Sequence, residues 1–214
     1  KEDFEKLDNE EKAKDFYMSK VPSYDIESPY YRWTKEWAVG ELENILKKTL
    51  VAQSKTGFIN PVFKDTDELG KIKDIKVMKR GDSGKVIELD LMTTKGCYRI
   101  SKELVIRRVF QKDGISLPSA NIVFDKTLDS EGNVTDIAIY GGGFGHGVGM
   151  SQYGANAMAS EGADYREILM HYYTGAEINW EFGVLRVECG VVVQTILFFN
   201  STLHSSHSTL TDKL

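Results

Sequence analysis

Between Gly141 and Gly154 the chain reads GGGFGHGVGMSQYG, seven glycines interrupted by Phe144, His146, Val148, Met150, Ser151, Gln152 and Tyr153. Each glycine costs conformational entropy on folding, so this density implies left-handed backbone or the close approach of the chain to something else. The polar side chains among them are one imidazole, one hydroxyl, one amide and one phenol. His146, Ser151, Gln152 and Tyr153 can hydrogen-bond a sugar or a peptide and stack on its apolar face. The competing reading is structural, with His146 and Gln152 serving only as internal hydrogen-bond partners.

Other chemistries fail on spelling. The loop contains neither G-x-G-x-x-G nor G-x-x-x-x-G-K-[ST], which removes the dinucleotide and nucleotide cradles. The nucleophile elbow G-x-S-x-G is absent, because Ser151 is followed by Gln152, Tyr153 and only then Gly154. A hydrolase built on Ser151 and His146 would also need an orienting Asp, and none stands beside them. His146 and His171 lack further ligands at metal spacing, and Cys97 and Cys189 form no C-x-x-C pair, so no metal, cofactor or disulfide framework is expected.

The loop must be held by the elements around it. Phe4, Leu7, Phe16 and Met18 mark a short helix that Pro22 stops, followed by a loop and a strand through the aromatic cluster YYRW at Tyr30 to Trp33. Tyr30, Tyr31, Trp33 and Trp37 could form a sugar platform, but strand alternation would bury half of them. From Val39, Leu42, Ile45, Leu46 and Leu50 recur at helical spacing, behind Ala38, which offers no capping side chain. IKDIKV and VIELDLMT alternate around RGDSGK as a hairpin. Ser101 is placed to cap a helix over KELVIRRVF, whose β-branched residues leave a strand open. ANIVFD and VTDIAIY form two more strands around the turn DSEGN.

After the glycine loop come two short helices. The second carries Asp164 and Glu167 as a capping box, Tyr165, Ile168, Leu169 and Tyr172 on one face, and Gly175 as its stop. That face assigns Tyr172, with Tyr173, to the core. VLRVECGVVVQTILFF suggests one or two buried strands, and STLHSSHSTLTDKL a polar, frayed tail. With runs of strands and little β-α-β alternation, the expected fold is α+β, a mostly antiparallel sheet with three or four short flanking helices.

The 214 residues are 41% hydrophobic and 28% charged, enough for one substantial core. The net charge of -5, with Lys and Arg scattered among acidic residues, argues against nucleic acid or anionic lipid as partner. No apolar run reaches the roughly 18 residues of a membrane span, so no membrane segment is expected in this chain.

The segment GGGFGHGVGMSQYGANAMASEGADYREILMHYYTGAEI closely resembles the signature of the stage II sporulation protein D and amidase-enhancer family. ESPYYRWTKEW, GCYRISKELVIRRVF and SLPSANIVFD resemble the same family in the same order, so the likeness covers about residues 10–180. It implies a partial domain over 1–180 and an unassigned tail over 181–214. It further implies that full-length members are lytic transglycosylases, cleaving amidase-stripped peptidoglycan glycan strands during engulfment with one Glu as acid and then base. That Glu lies in an E-M-P segment upstream of YYRW, and E-M-P does not occur here. The expectation is therefore a chain that begins after it, with no catalytic residue of its own, binding glycan strands. The alternative is a noncatalytic cell-wall-binding or amidase-enhancing module partnered by a peptidoglycan amidase. The resemblance places either role outside the cytoplasm, at a membrane reached through a segment outside this chain. His146, Ser151, Gln152 and Tyr153 resemble groove-lining positions of the family, with Gly145 and Gly147 shaping the loop.

Overall fold

Leu42, Leu46 and Leu50 recur every fourth residue, which puts them on one helical face. In the computed structural model, which describes residues 6–173, 175, 177–181, 184–189 and 192–196, all three are fully buried at the centre of the main core. The chain divides into two compact units, Lys1–Val148 and Gly149–Leu214.

The first unit runs α1 (Glu10–Met18), β1 (Trp33–Ala38), α2 (Val39–Ser54), β2 (Ile59–Asn60), β3 (Ile72–Arg80), β4 (Val86–Thr93) and β5 (Cys97–Ser101). It continues through α3 (Glu103–Val109), the short pair β6 (Gln111–Lys112) and β7 (Ile115–Ser116), then β8 (Ile122–Leu128) and β9 (Val134–Gly141). Two antiparallel sheets dominate, ordered β1-β9-β8 and β2-β5-β4-β3. Asn9 caps α1 through its side chain, and α2 begins at Ala38 with no side-chain cap, as its sequence requires.

The core is filled from both sheets and from α2 and α3: Trp37, Ile137 and Ile139 meet Leu89, Leu91, Ile106 and Val109. The outer face of β1-β9-β8 is covered in part by α1, where Ala13 and Tyr17 close on Val123. Arg80, almost completely buried, fixes the start of α1 by donating from Nε and Nη2 to Glu10 Oε2 at 3.0 and 2.7 Å. Asp129 builds the expected turn between β8 and β9, its Oδ1 accepting from the Glu131 and Asn133 N–H groups at 2.9 and 2.8 Å.

Ser101 departs from expectation. The β4–β5 ladder pairs it with Glu88, and its N–H donates to Phe58 O at 2.9 Å, so the sheet claims it one residue too early to cap α3. Lys102 takes the cap position at φ 73°, a left-handed conformation disfavoured for a side chain with a Cβ, and supplies no capping bond. The segment that follows is a helix despite its β-branched residues, because Val105, Ile106 and Val109 share one buried face.

The second unit holds α4 (Gln152–Ser160), α5 (Tyr165–Tyr172) and an antiparallel sheet ordered β10 (Glu177–Glu181), β11 (Val184–Cys189) and β12 (Val192–Ile196). The capping box on α5 is complete, Asp164 accepting from Arg166 and Glu167 N–H groups while Glu167 accepts from Asp164 N–H. Leu169 is its buried residue; Tyr172 and Tyr173 are half-buried, not core, and Tyr165 is exposed. The side chains of the expected apolar strands and the whole of STLHSSHSTLTDKL lie outside the described residues. The fold is thus α+β with antiparallel sheets, and the helices number five among the described residues.

Candidate functional site

The glycine loop leaves the end of β9 already anchored. Gly141 pairs with Trp33 on β1 and Ile122 on β8, and the Trp33 indole lies across it: a Cβ there would stand 2.6 Å from Cε2 and Cη2. Trp33 Nε1 donates to Gly143 O at 3.1 Å, and Ser119 Oγ donates to Gly142 O at 2.8 Å. The N–H groups of Gly142, Gly143 and Gly145 donate to Asn121 O, Tyr30 O and Pro118 O at 3.0, 2.7 and 2.8 Å. The first half of the loop is therefore fixed from both sides, by the YYRW segment and by residues 118–121.

This anchoring sorts the aromatic cluster. Tyr31 and Trp37 are buried, the first donating its hydroxyl to Val21 O and the second its Nε1 to Gln111 O at 3.0 Å. Tyr30 points outward, 38% exposed, and meets Phe144, 65% exposed, with ring centroids 4.5 Å apart at 42°. The sequence reading placed Tyr30 in a candidate platform but gave Phe144 no role. Its apolar ring inside a glycine loop was the only signal for it, and Tyr30 and Tyr31 lie in the turn before β1, where strand alternation does not apply.

His146 follows, exposed, with Nδ1 accepting from Val148 N–H at 3.0 Å. With Nδ1 an acceptor, the neutral ring carries its proton on Nε2, which is presented as a donor. Gly145 and Gly147 flank it at φ 87° and 68°, a conformation glycine adopts without strain. These three belong to the first unit; Ser151, Gln152 and Tyr153 belong to the second. Ser151 is the N-cap of α4, its Oγ accepting from Gly154 N–H at 3.1 Å, while Gln152 and Tyr153 are exposed on the first turn. Ser151 Oγ serves a helix end and His146 Nδ1 a loop amide, and neither bond is the nucleophile–base contact of a hydrolase.

Beside the root of the loop, the first unit has a cleft of about 720 Å³ lined by Phe16, Tyr17, Tyr31, Arg32, Asn121 and Gly143, among others. Arg32 stacks on Tyr31 and Phe16, 4.3 and 4.5 Å from the ring centroids, and donates to Ser19 O, Tyr31 O and Phe16 O. Burial pushes the Tyr17 phenol up to about 12 against the pull of Arg80 and Arg32, and its hydroxyl donates to Ser83 O at 3.1 Å. Among the described residues no group of three His, Cys, Asp or Glu is placed to hold a metal ion, and no helix is long and apolar enough to cross a membrane. Cys97 is an exposed thiol, and the Cys189 side chain lies outside the described residues.

A family model described as a domain of unknown function, DUF8618, matches residues 1–149. Stage II sporulation protein D of Bacillus subtilis is 32% identical over 164 residues, which are 76% of this chain and 38% of that protein. The protein of the same name from Bacillus amyloliquefaciens is 62% identical over 37 residues, 17% of this chain and 11% of that one. The amidase enhancer of Bacillus subtilis is 33% identical over 87 residues, 41% of this chain and 12% of that protein. The chain belongs to the stage II sporulation protein D and amidase-enhancer family. It spans well under half the length of these relatives, at most 38%.

Proposed function

We propose that this chain binds the glycan strands of peptidoglycan after an amidase has removed their peptides, within a sporulation protein that remodels the cell wall. The observation that supports it most is the exposed Tyr30–Phe144 ring pair, two residues in sequence from the His146 donor. A sugar ring offers an apolar C–H face and a rim of hydroxyls, which suits aromatic rings beside a hydrogen-bond donor. Ser151, Gln152 and Tyr153, which belong to the second unit, are assigned to glycan contact by their resemblance to the family motif alone. Strand cleavage is assigned to family members carrying the E-M-P glutamate, which these 214 residues do not contain. The substrate places this work outside the cytoplasmic membrane, and residues 1–180 are assigned to the partial family domain.

The test is co-sedimentation of the chain with amidase-stripped glycan strands, with products read by mass spectrometry. Phe144→Ala and His146→Ala are each expected to weaken binding by about fivefold, the worth of one stacking contact or one hydrogen bond. Wild-type and variant chains sedimenting alike would remove the loop from the reading. Anhydro-sugar ends would place an acid within these residues.

The similarity to an amidase enhancer favours a second reading, in which the chain stimulates a peptidoglycan amidase. Faster peptide release by the amidase, with no strand binding by the chain alone, distinguishes it.

A further inference from the structure

Lys85, at the end of the β3–β4 turn, brings its ammonium to the glycine loop at Gly147. It is half-buried, and among the described residues its ammonium makes no hydrogen bond and no ion pair within 4 Å. Burial is the main effect on it and holds it below the usual lysine range; Glu103 pulls it back up and Arg107 pushes it down. Glu103 Oε2 lies 3.6 Å from Arg107 Nη1, an ion pair without a hydrogen bond, and this oxygen is buried with no hydrogen-bond partner among the described residues. A partly desolvated cation with no hydrogen bond or close ion pair among the described residues is a cost to the fold, only partly offset by Glu103, and an external anion would offset more of it.

The space beside that ammonium is kept open by a glycine. A Cβ on Gly147 would stand 3.0 Å from Lys85 Nζ and 3.9 Å from Asn121 Nδ2, so two donors converge on the volume that a side chain would fill. Asn121 Oδ1 is buried without a hydrogen-bond partner among the described residues, which leaves Nδ2 as the end facing the loop. The N–H groups of His146 and Gly147 on the loop likewise donate to no acceptor among the described residues. A small planar anion accepts from several such donors at once.

The geometry points to a carboxylate subsite formed by Lys85 Nζ and Asn121 Nδ2 over Gly147, occupied by the lactyl carboxylate of a muramic acid residue. This inference rests on the glycan-binding reading above. In an intact strand the lactyl group is an amide, joined to the peptide; amidase action exposes it as a carboxylate, so the subsite recognises strands already stripped. A carboxylate at the end of a peptide stem has the same chemistry, but stripped strands carry no stems.

The experiment measures binding of the full chain to stripped strands and to the same strands with their lactyl carboxyls converted to methylamides. Wild type should prefer the free carboxyl by about tenfold, the worth of one charge-assisted hydrogen bond. Lys85→Met should bind both preparations at the methylamide level, and Lys85→Arg should restore the preference, which shows that the charge and not the fold was lost. Equal wild-type affinity for both preparations, or an equal loss on both in Lys85→Met, overturns the subsite and leaves glycan binding standing. Failure to bind either preparation overturns the glycan reading and this inference with it.

Discussion

Gly141→Ala tests the foundation of the loop. A strand glycine normally gains about 0.5–1 kcal/mol on conversion to Ala, because the unfolded chain loses freedom. Here the new methyl would collide with the Trp33 indole at 2.6 Å, and overpacking of that kind costs about 1–3 kcal/mol. If the indole swings away, its bond to Gly143 O goes too, a further loss of about 0.5–1.5 kcal/mol. Midpoints leave a net destabilisation of about 2 kcal/mol. With a urea slope of about 2 kcal/mol per molar, the unfolding midpoint should fall by about 1 M. Tryptophan fluorescence follows it, since Trp33 is at the site of change. Trp33→Phe removes part of the ring that the methyl meets, so Gly141→Ala should cost at least about 1 kcal/mol less in that background. Phe144→Ala, at an exposed position, should leave the midpoint within about 0.25 M. A Gly141→Ala protein as stable as wild type, or more so, would refute the argument that Trp33 is seated on Gly141 and fixes the loop through Gly143.

Two further predictions concern other parts of the chain. Gly154 lies in α4, where Ala should gain about 1 kcal/mol, but its Cβ would overlap the Tyr172 hydroxyl, with Cζ next at 3.3 Å. Gly154→Ala should therefore destabilise wild type and stabilise Tyr172→Phe, and additive effects in thermal melts of the four proteins would contradict the overlap. Asp90 accepts from Arg99 Nε and Nη2 at 2.8 and 2.9 Å across β4 and β5, and this pairing holds its carboxyl below the usual range. A depressed native pKa gives stability that is present above the unfolded value of about 3.9 and lost as pH falls through the native one. Asp90→Asn should thus cost up to about 1 kcal/mol at neutral pH, since Arg99 is half-exposed, and the gap from wild type should close below about pH 4. A gap unchanged down to pH 2 would show that the charge contributes nothing.

The chain divides between Val148 and Gly149, inside the glycine-dense segment, and the candidate residues fall on both sides. Gly145, His146 and Gly147 are set by the sheet end and by residues 118–121, whereas Ser151 owes its position to the helix it caps. Mutations in α4 are therefore best read as helix-start effects first, and only the exposed Gln152 and Tyr153 offer side chains whose loss leaves the local structure alone.

The amino-acid order alone determined whatever depends on near neighbours. The four-residue spacing of Leu42, Leu46 and Leu50 specified α2 and its buried face; Asp164 and Glu167 specified the start of α5; Asp129 specified the β8–β9 turn. The glycine-dense segment was legible as a special loop, and its motif carried the family. Tertiary structure decided what depends on register and on distant chain. Ser101 was lost as a helix cap because β4 pairs it into the sheet, and Tyr172 is half-buried where helical periodicity placed it in the core. Alternation in YYRW required half the aromatics to be buried but could not say which half. The expected strand begins only at Trp33, so Tyr30 and Tyr31 lie in the turn before it, and the folded chain chose by bonding Gly143 N–H to Tyr30 O and bringing the Tyr30 ring to Phe144, 114 residues later in the chain. Lys85 carried no signal in the sequence, and its approach to Gly147 exists only in space, because no local rule links a hairpin turn to a loop that many residues separate.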